Sequence, residues 1–171
     1  KTEIHVKSGP MKLNPFNTKI GLALGGGAAK GIAHIGVLKA FEEENVEISY
    51  LSGTSIGGLV AAYYAFGKSA DEIMKLGKEL SFSKVANFTL RKRGFFTTDS
   101  LEEIVLRDLG EVNIEDSKIP LAIVATDIKT GEKVVFKHGR LASAICASAA
   151  VPGAYVPVEY QGRLLVDGGI T

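Results

Sequence analysis

The hydrophobic positions form two kinds of segment along the chain. Short, densely apolar runs predict buried strands. Longer runs with apolar residues three or four apart predict helices with one buried face. The predicted strands are 19–24, 48–51, 119–125, 134–136, 156–160 and 163–166. The predicted helices are 28–44, 56–66, 69–80, 101–109 and 141–149. Strands and helices alternate over most of the length, so we predict an α/β protein with a mainly parallel central sheet covered by helices on both faces.

Local sequence signals set several of the predicted boundaries. Ser69 and Glu72 have the spacing of a capping box at a helix start, and Ser100 and Glu103 repeat it before the next helix. The last two predicted strands flank a glutamine-glycine pair, which is typical of a hairpin. Residues 81–98 show no clear period, so we predict a long loop there.

Composition and charge narrow the class of protein. The chain has 171 residues, of which 46% are hydrophobic and 23% charged, as expected of one globular domain. A formal net charge of +1 predicts no nucleic-acid partner. The single cysteine, Cys146, excludes an intrachain disulfide and a zinc site of paired cysteines, and we predict it to be a buried packing residue. No apolar run approaches the ~20 residues of a membrane span, and no signal-peptide pattern is visible, so we predict a cytoplasmic location.

The two ends of the chain differ from its middle. Residues 1–10 are polar and precede Met11, which predicts either a non-native leader or a disordered N-terminus. One folded domain is predicted over 18–171. Because the sequence ends just after a glycine pair, we expect the native fold to continue beyond Thr171.

The first candidate for chemistry is the G-x-S-x-G pattern from Gly53 to Gly57, which lies between a predicted strand and a predicted buried helix. A serine in this pattern sits on a sharp turn that pushes its hydroxyl outward, and the glycines avoid collisions with strand and helix. The alternative is a serine that only caps the helix. The elements on either side favour Ser55 as a nucleophile.

The second candidate is the small-residue run from Gly25 to Gly31, at the end of the first predicted strand. Free backbone N–H groups and the positive end of the following helix suit such a loop to a phosphate or an oxyanion. A dinucleotide loop would need glycine at position 30, where this chain has Lys30, and the P-loop pattern is absent. An oxyanion hole beside Ser55 explains the loop best, with a plain tight turn as the alternative.

The third candidate is Asp167, at the end of the last predicted strand and followed by Gly168 and Gly169. Its carboxylate either reaches a site or only caps the turn, and this segment taken alone favours the turn cap. A Ser-acid-His triad is disfavoured, because only Asp127 and His138 follow Ser55 in the required order and they share one predicted hairpin.

The other two histidines are not candidates for the histidine of such a triad. His5 lies in the atypical N-terminal segment, and His34 is predicted to be a packed residue of the first helix. Asp127, after a strand, is predicted to form a turn.

Together these motifs resemble the patatin-like phospholipase family of bacteria. The similar segments come in the family's order and span about 19–171. They are the opening glycine-rich block at 22–38, the nucleophile elbow at 53–57, the block Ala-Ser-Ala-Ala-Val-Pro at 147–152, and Asp-Gly-Gly at 167–169. Each segment alone is weakly specific, but the four in this order are typical of the family.

The resemblance implies a catalytic Ser-Asp dyad without histidine, in which Ser55 is the nucleophile and Asp167 its base. It implies an oxyanion hole of backbone N–H groups in the glycine-rich block. The residues concerned are Gly25, Gly26, Gly27 and Ala28, supported by Lys30, Gly53, Gly57 and Gly168. Ala28 stands where many members have glycine, and an alanine restricts positive φ. The resemblance implies no metal and no cofactor.

The expected activity is that of a lipid acyl hydrolase of phospholipase A or lysophospholipase type, acting through an acyl-enzyme. The alternatives are a hydrolase of small esters or thioesters and a catalytically silent binding module. Phe88, Phe95 and Phe96 flank the basic residues 91–93, a combination that can dock on anionic membranes, although a solvated loop explains it as well.

Overall fold

The computed structural model describes residues 18–27, 31–86 and 98–170, without the side chains of 79–86. The N-terminal segment 1–10, Ala28, Lys30 and the aromatic and basic residues of 88–96 lie outside the described residues. Predictions that concern them remain predictions.

Six strands and five helices make up the described part of the chain. The strands are β1 (Gly21–Leu24), β2 (Tyr50–Thr54), β3 (Leu121–Asp127), β4 (Lys133–Phe136), β5 (Val158–Tyr160) and β6 (Arg163–Asp167). The helices are α1 (Gly31–Glu43), α2 (Ile56–Ala65), α3 (Ala70–Ala86), α4 (Asp99–Leu109) and α5 (Leu141–Ala149). The mixed α/β class predicted from the sequence is confirmed.

The sheet has a parallel block and an antiparallel block that meet at β3. β1 pairs with β2 and β2 with β3 in parallel, whereas β4 and β6 run antiparallel to β3. β5 and β6 form the predicted hairpin. The strand order is β1-β2-β3-β6-β5, with β4 on β3 as well.

The register on β3 determines where the candidate residues lie. β2 pairs with the first half of β3, ending with Thr54 opposite Val124. β6 pairs with the second half, with Asp167 opposite Ala125. The last residues of β2 and β6 are therefore held opposite neighbouring residues of one strand, so both strands end at the same place in the sheet.

Helix α2 packs directly on the middle of the sheet. Eight of its ten residues are buried, and a Cβ atom added to Gly58 would lie 3.5 Å from Cδ1 of Ile123 on β3. Leu38 of α1 and Ile123 are both fully buried, and each such side chain contributes about 1.5–3 kcal/mol to stability. The rigid sheet and its helix give the chain's glycine-rich turns a fixed support.

Two local predictions were wrong, and one short element was not predicted. α3 continues to Ala86, so the loop predicted from residue 81 is helical as far as Ala86, because extending an existing helix costs little compared with starting one. α4 begins at Asp99, with Thr98 rather than Ser100 as its N-cap. The carbonyl of Thr98 accepts the N–H groups of Leu101 and Glu102. A 3-10 turn at Ile114–Asp116 was not predicted.

Other local predictions are confirmed. Ser69 and Glu72 form the predicted capping box, with the Ser69 N–H donating to Glu72 Oε2 at 2.8 Å and the Glu72 N–H to Ser69 Oγ at 3.3 Å. α5 has the predicted bounds. Asp127 forms a turn, since its Oδ1 accepts the N–H of Lys129 at 2.9 Å.

Candidate active site

Ser55 occupies a strained turn between β2 and α2. Its backbone angles are φ 54° and ψ −127°, a region that side-chain-bearing residues rarely adopt and that costs about 1–3 kcal/mol. Its side chain makes no capping hydrogen bond to α2. The side chain of Ser55 therefore does not cap α2, and the strained strand-to-helix turn has the shape expected of the predicted nucleophile elbow.

The glycines around Ser55 are required by close backbone approaches. A Cβ atom on Gly53 would collide with the backbone of Gly57 and Gly58, and one on Gly57 would collide with the carbonyl of Leu24. Position 57 therefore brings α2 into contact with the end of β1, where the glycine-rich block begins. No larger residue at 53 or 57 allows this turn.

The glycine-rich block lies beside Ser55. A Cβ atom added to Gly26 would be 3.5 Å from Cβ of Ser55, and Gly27 has a φ of 147°, which favours glycine. Gly31, the first residue of α1, packs so tightly on Ile56 that an added Cβ would be 2.5 Å from its Cγ1. The N-termini of α1 and α2 thus converge near Ser55, where their partial positive charges favour an anion.

His34 is attached to this block. Its Nε2 lies 2.8 Å from the carbonyl oxygen of Gly25. Because a carbonyl only accepts, Nε2 carries the proton and donates it. His34 was predicted to be a packed helix residue, but it is a half-buried anchor of the glycine-rich block. The spacing of nine residues gave no signal of this contact.

Asp167 is buried, with 7% of its surface exposed, at the end of β6. Its Oδ1 accepts the N–H of Gly169 at 2.7 Å, so the carboxylate does cap the following turn. A Cβ atom on Gly168 would collide with the Val124 carbonyl and lie 3.1 Å from Cγ2 of Thr54. The Asp167-Gly168 pair therefore sits against the residue that precedes Ser55.

Each of the two candidates is bonded to a residue that no sequence reasoning singled out individually. Ser148 Oγ accepts the backbone N–H of Ser55 at 2.8 Å, and the Ala150 carbonyl accepts the backbone N–H of Asp167 at 2.9 Å. Ser148 is fully buried. Both belong to the segment 147–152, whose resemblance to a family block was the only available signal.

The remaining polar candidates lie apart from this arrangement. Asp127 is engaged in its turn and lies 3.8 Å from Arg163, and His138 is exposed. Within 18–27, 31–86 and 98–170, no group of three His, Cys, Asp or Glu side chains is placed to hold a metal ion. None of the helices in the described ranges is long and apolar enough to cross a membrane.

A groove of about 610 Å³ runs over the opposite part of the sheet. It is lined by residues near the starts of β1, β2 and β3 together with Glu115 and His138, and it contains neither Ser55 nor Asp167. The groove does not coincide with the candidate active site.

Comparison with known proteins agrees with the motifs. The family model for patatin-like phospholipase matches residues 22–171. An uncharacterised NTE family protein of Mycobacterium tuberculosis is 38% identical over 155 residues, covering 89% of this chain and 43% of that protein. Patatin-like phospholipase domain-containing protein 6 of Homo sapiens is 36% identical over 158 residues, covering 88% of this chain and 12% of that protein. The chain spans less than half the length of these relatives.

Solved structures share the fold at low sequence identity. VipD from Legionella pneumophila has a TM-score of 0.67 at 19% identity, covering 89% of this chain and 46% of that one. ExoU, in its complex with SpcU from Pseudomonas aeruginosa, has a TM-score of 0.57 at 24% identity, covering 80% of this chain and 37% of that one. With the family model matched from residue 22 to residue 171, this chain belongs to the patatin-like phospholipase family.

Proposed function

We propose that the chain carries the active site of a lipid acyl hydrolase that cleaves carboxylic esters through a Ser55–Asp167 dyad. The observation that carries the proposal is the convergence of three segments: the strained Ser55 turn, the glycine-rich block with Gly26 beside it, and the end of β6 with Asp167. A structural turn would not need a strained serine between two close-packed glycines.

In the first half of the reaction, the Ser55 hydroxyl attacks the ester carbonyl and its proton passes to Asp167. Because Oδ1 of Asp167 is engaged by Gly169, we assign the proton to Oδ2. The C–O bond to the alcohol then breaks, and the alcohol leaves with that proton. The product on the enzyme is an acyl ester of Ser55.

In the second half, Asp167 accepts a proton from water, which attacks the acyl ester. Collapse of the tetrahedral intermediate releases the carboxylic acid and returns the proton to Ser55. Both tetrahedral intermediates carry a negative oxygen, which we assign to backbone N–H groups of Gly25, Gly26 and Gly27. Ala28 and Lys30 are proposed to border this hole, and Gly53, Gly57 and Gly168 to support it. The proposal requires no metal or cofactor.

The lipid substrate class rests on the family and on the names of relatives. Those relatives include a patatin-like phospholipase domain-containing protein and, at 32% identity, the neuropathy target esterase sws of Drosophila persimilis. Peripheral contact with a membrane through the aromatic and basic residues of 88–96 is proposed as the route to such a substrate. Replacing the basic residues 91–93 with serine should weaken binding to anionic vesicles, and unchanged binding would remove this route.

Hydrolysis assays with matched serine variants test the proposal. Wild type, Ser55→Ala and Ser143→Ala are assayed on p-nitrophenyl esters of two to sixteen carbons and on a lysophospholipid. Ser143 is a half-buried serine of α5 and serves as the control. We expect Ser143→Ala to match wild type and Ser55→Ala to lose turnover on long-chain and phospholipid substrates. If wild type hydrolysed only the short esters, the protein would be a small-ester hydrolase. Equal rates in all three proteins would contradict the dyad.

A further inference from the structure

The C-terminal end of α5 contacts the backbones of both residues of the proposed dyad. Near the end of α5, the Ser148 hydroxyl oxygen accepts the backbone N–H of Ser55. The carbonyl of Ala150, the C-cap residue of α5, accepts the backbone N–H of Asp167. We infer that Ser148 and Ala150 form a clamp that fixes the spacing between Ser55 and Asp167, with Ser148 as a positioning residue for the nucleophile. Its role in turnover rests on the proposed function.

The Ser148 hydroxyl is held in one orientation. Its O–H donates to the carbonyl of Val124 at 2.5 Å, which leaves a lone pair on Oγ for the N–H of Ser55. Since the side chain is fully buried, water does not compete for either bond. The hydroxyl therefore uses its donor and an acceptor site at the same time, both on backbone groups.

This hydroxyl stands where the pairing of β2 with β3 ends. The last pair of that ladder is Thr54 with Val124, and Ser55 follows immediately. Here the Ser148 hydroxyl lies between the two strands: it accepts the N–H of Ser55, which follows β2, and donates to the Val124 carbonyl of β3. Just beyond this point, Asp167 pairs with Ala125 of β3. The Ser148 hydroxyl therefore lies where β3 stops pairing with β2 and begins to pair with β6, the strand that carries Asp167.

The strained conformation of Ser55 explains why such a clamp is needed. A residue with a side chain at φ 54° keeps that angle only when its surroundings hold it there. Close backbone approaches at Gly53 and Gly57, which leave no room for a Cβ atom, hold the chain on both sides of Ser55. Ser148 adds an attractive contact from a third element, and the same helix end fixes the strand of Asp167. In Ser148→Ala, the Ser55 N–H and the Val124 carbonyl both lose the Ser148 hydroxyl as a partner.

Kinetics on Ser148→Ala and the matched control Ser143→Ala test the role in turnover. We expect Ser148→Ala to lower kcat and the rate of fluorophosphonate labelling by about 10- to 100-fold per folded molecule, with KM within about twofold of wild type. Ser143→Ala should match wild type. A purely structural role for Ser148 would lower the melting temperature and leave kcat of the folded fraction unchanged, which would overturn the inference.

Amide hydrogen exchange of Ser55 tests the clamp without depending on activity. In wild type, we expect the Ser55 amide to be protected as strongly as the interior amides of β2, and Ser148→Ala to speed its exchange at least about tenfold. An unprotected Ser55 amide in wild type overturns the inference even if the variant does not fold. If Ser55→Ala retained full hydrolysis, the proposed function would fail, and the exchange result would still decide the clamp.

Discussion

The Nε2–H of His34 donates to the carbonyl oxygen of Gly25 at 2.8 Å, which ties the first helix to the loop that faces Ser55. The bond orients the peptide between Gly25 and Gly26, whose N–H is assigned to the oxyanion hole. The family resemblance assigned no role to this histidine.

Loss of this bond should slow catalysis. We expect His34→Ala to lower kcat about 3- to 10-fold, because a typical hydrogen bond contributes about 0.5–1.5 kcal/mol. His138→Ala, which removes an exposed histidine, is the control and should leave kcat unchanged. Steady-state kinetics on a long-chain ester compare them, and equal kcat values in both variants would show that His34 does not hold the loop.

Two glycine-to-alanine changes should have opposite effects on stability. Gly57→Ala places a Cβ atom against the Leu24 carbonyl and should lower the free energy of unfolding by at least about 2 kcal/mol. Gly36, inside α1, has nothing within 4 Å of an added Cβ, so Gly36→Ala should raise it by about 0.5–1 kcal/mol. Urea unfolding measures both, and a neutral Gly57→Ala would contradict the close approach at the elbow.

The hydroxyl of Tyr63 on α2 donates to Asp108 of α4 at 2.7 Å. Burial alone raises the pKa of Asp108, but hydrogen bonds from Arg107 and Tyr63 lower it more, so its net pKa lies below the ordinary value. We expect Tyr63→Phe to lower the free energy of unfolding by about 1–2 kcal/mol at pH 7. Tyr50→Phe, at an exposed tyrosine, should change it by less than about 0.5 kcal/mol.

The effect of Tyr63→Phe should depend on pH. Because the folded-state pKa of Asp108 is depressed, its stabilisation is present above the unfolded pKa of about 4 and is lost as the pH falls through the folded value. Urea unfolding at pH 7 and at about pH 3 should therefore show a smaller difference from wild type in acid. An equal difference at both values would mean that the bond does not depend on the charge of Asp108.

The thiol of Cys146 should be slow to react. Burial raises its pKa to about 11, and its Sγ lies 3.6 Å from the carbonyl oxygen of Thr98. At pH 8 only about 0.1% is thiolate, against roughly a quarter for an ordinary thiol. Because Cys146 is the single cysteine, its reaction with a disulfide reagent is read directly. We expect it to be at least about 100-fold slower in the folded protein than in urea, and rates within tenfold would contradict its burial.

Sequence reasoning succeeded where the information is local. The run of small apolar residues that ends shortly before Pro152 predicted the bounds of α5. The Ser69–Glu72 cap was predictable because both residues lie within one helical turn. The G-x-S-x-G pattern located the Ser55 turn because its glycines are imposed by contacts within the same strand-turn-helix unit and with the end of β1.

The contacts that complete the site could not be predicted in the same way. Ser55 and Ser148 are 93 residues apart, and their bond depends on how α5 packs beneath the end of β3. The antiparallel pairing of β6 with the second half of β3 is likewise a property of sheet register, which the local sequence pattern does not predict. Four motifs in family order predicted that Ser55 and Asp167 belong to one site, and the register holds Thr54 and Asp167 opposite neighbouring residues of β3.

The central claim is that Ser55 is an activated nucleophile. Labelling the folded protein with a fluorophosphonate, followed by mass spectrometry of its peptides, tests this directly. We predict one modified peptide carrying the label on Ser55, no label in Ser55→Ala, and strongly slowed labelling in Asp167→Asn. Modification at another residue, or a folded wild-type protein that stays unlabelled, would contradict the claim.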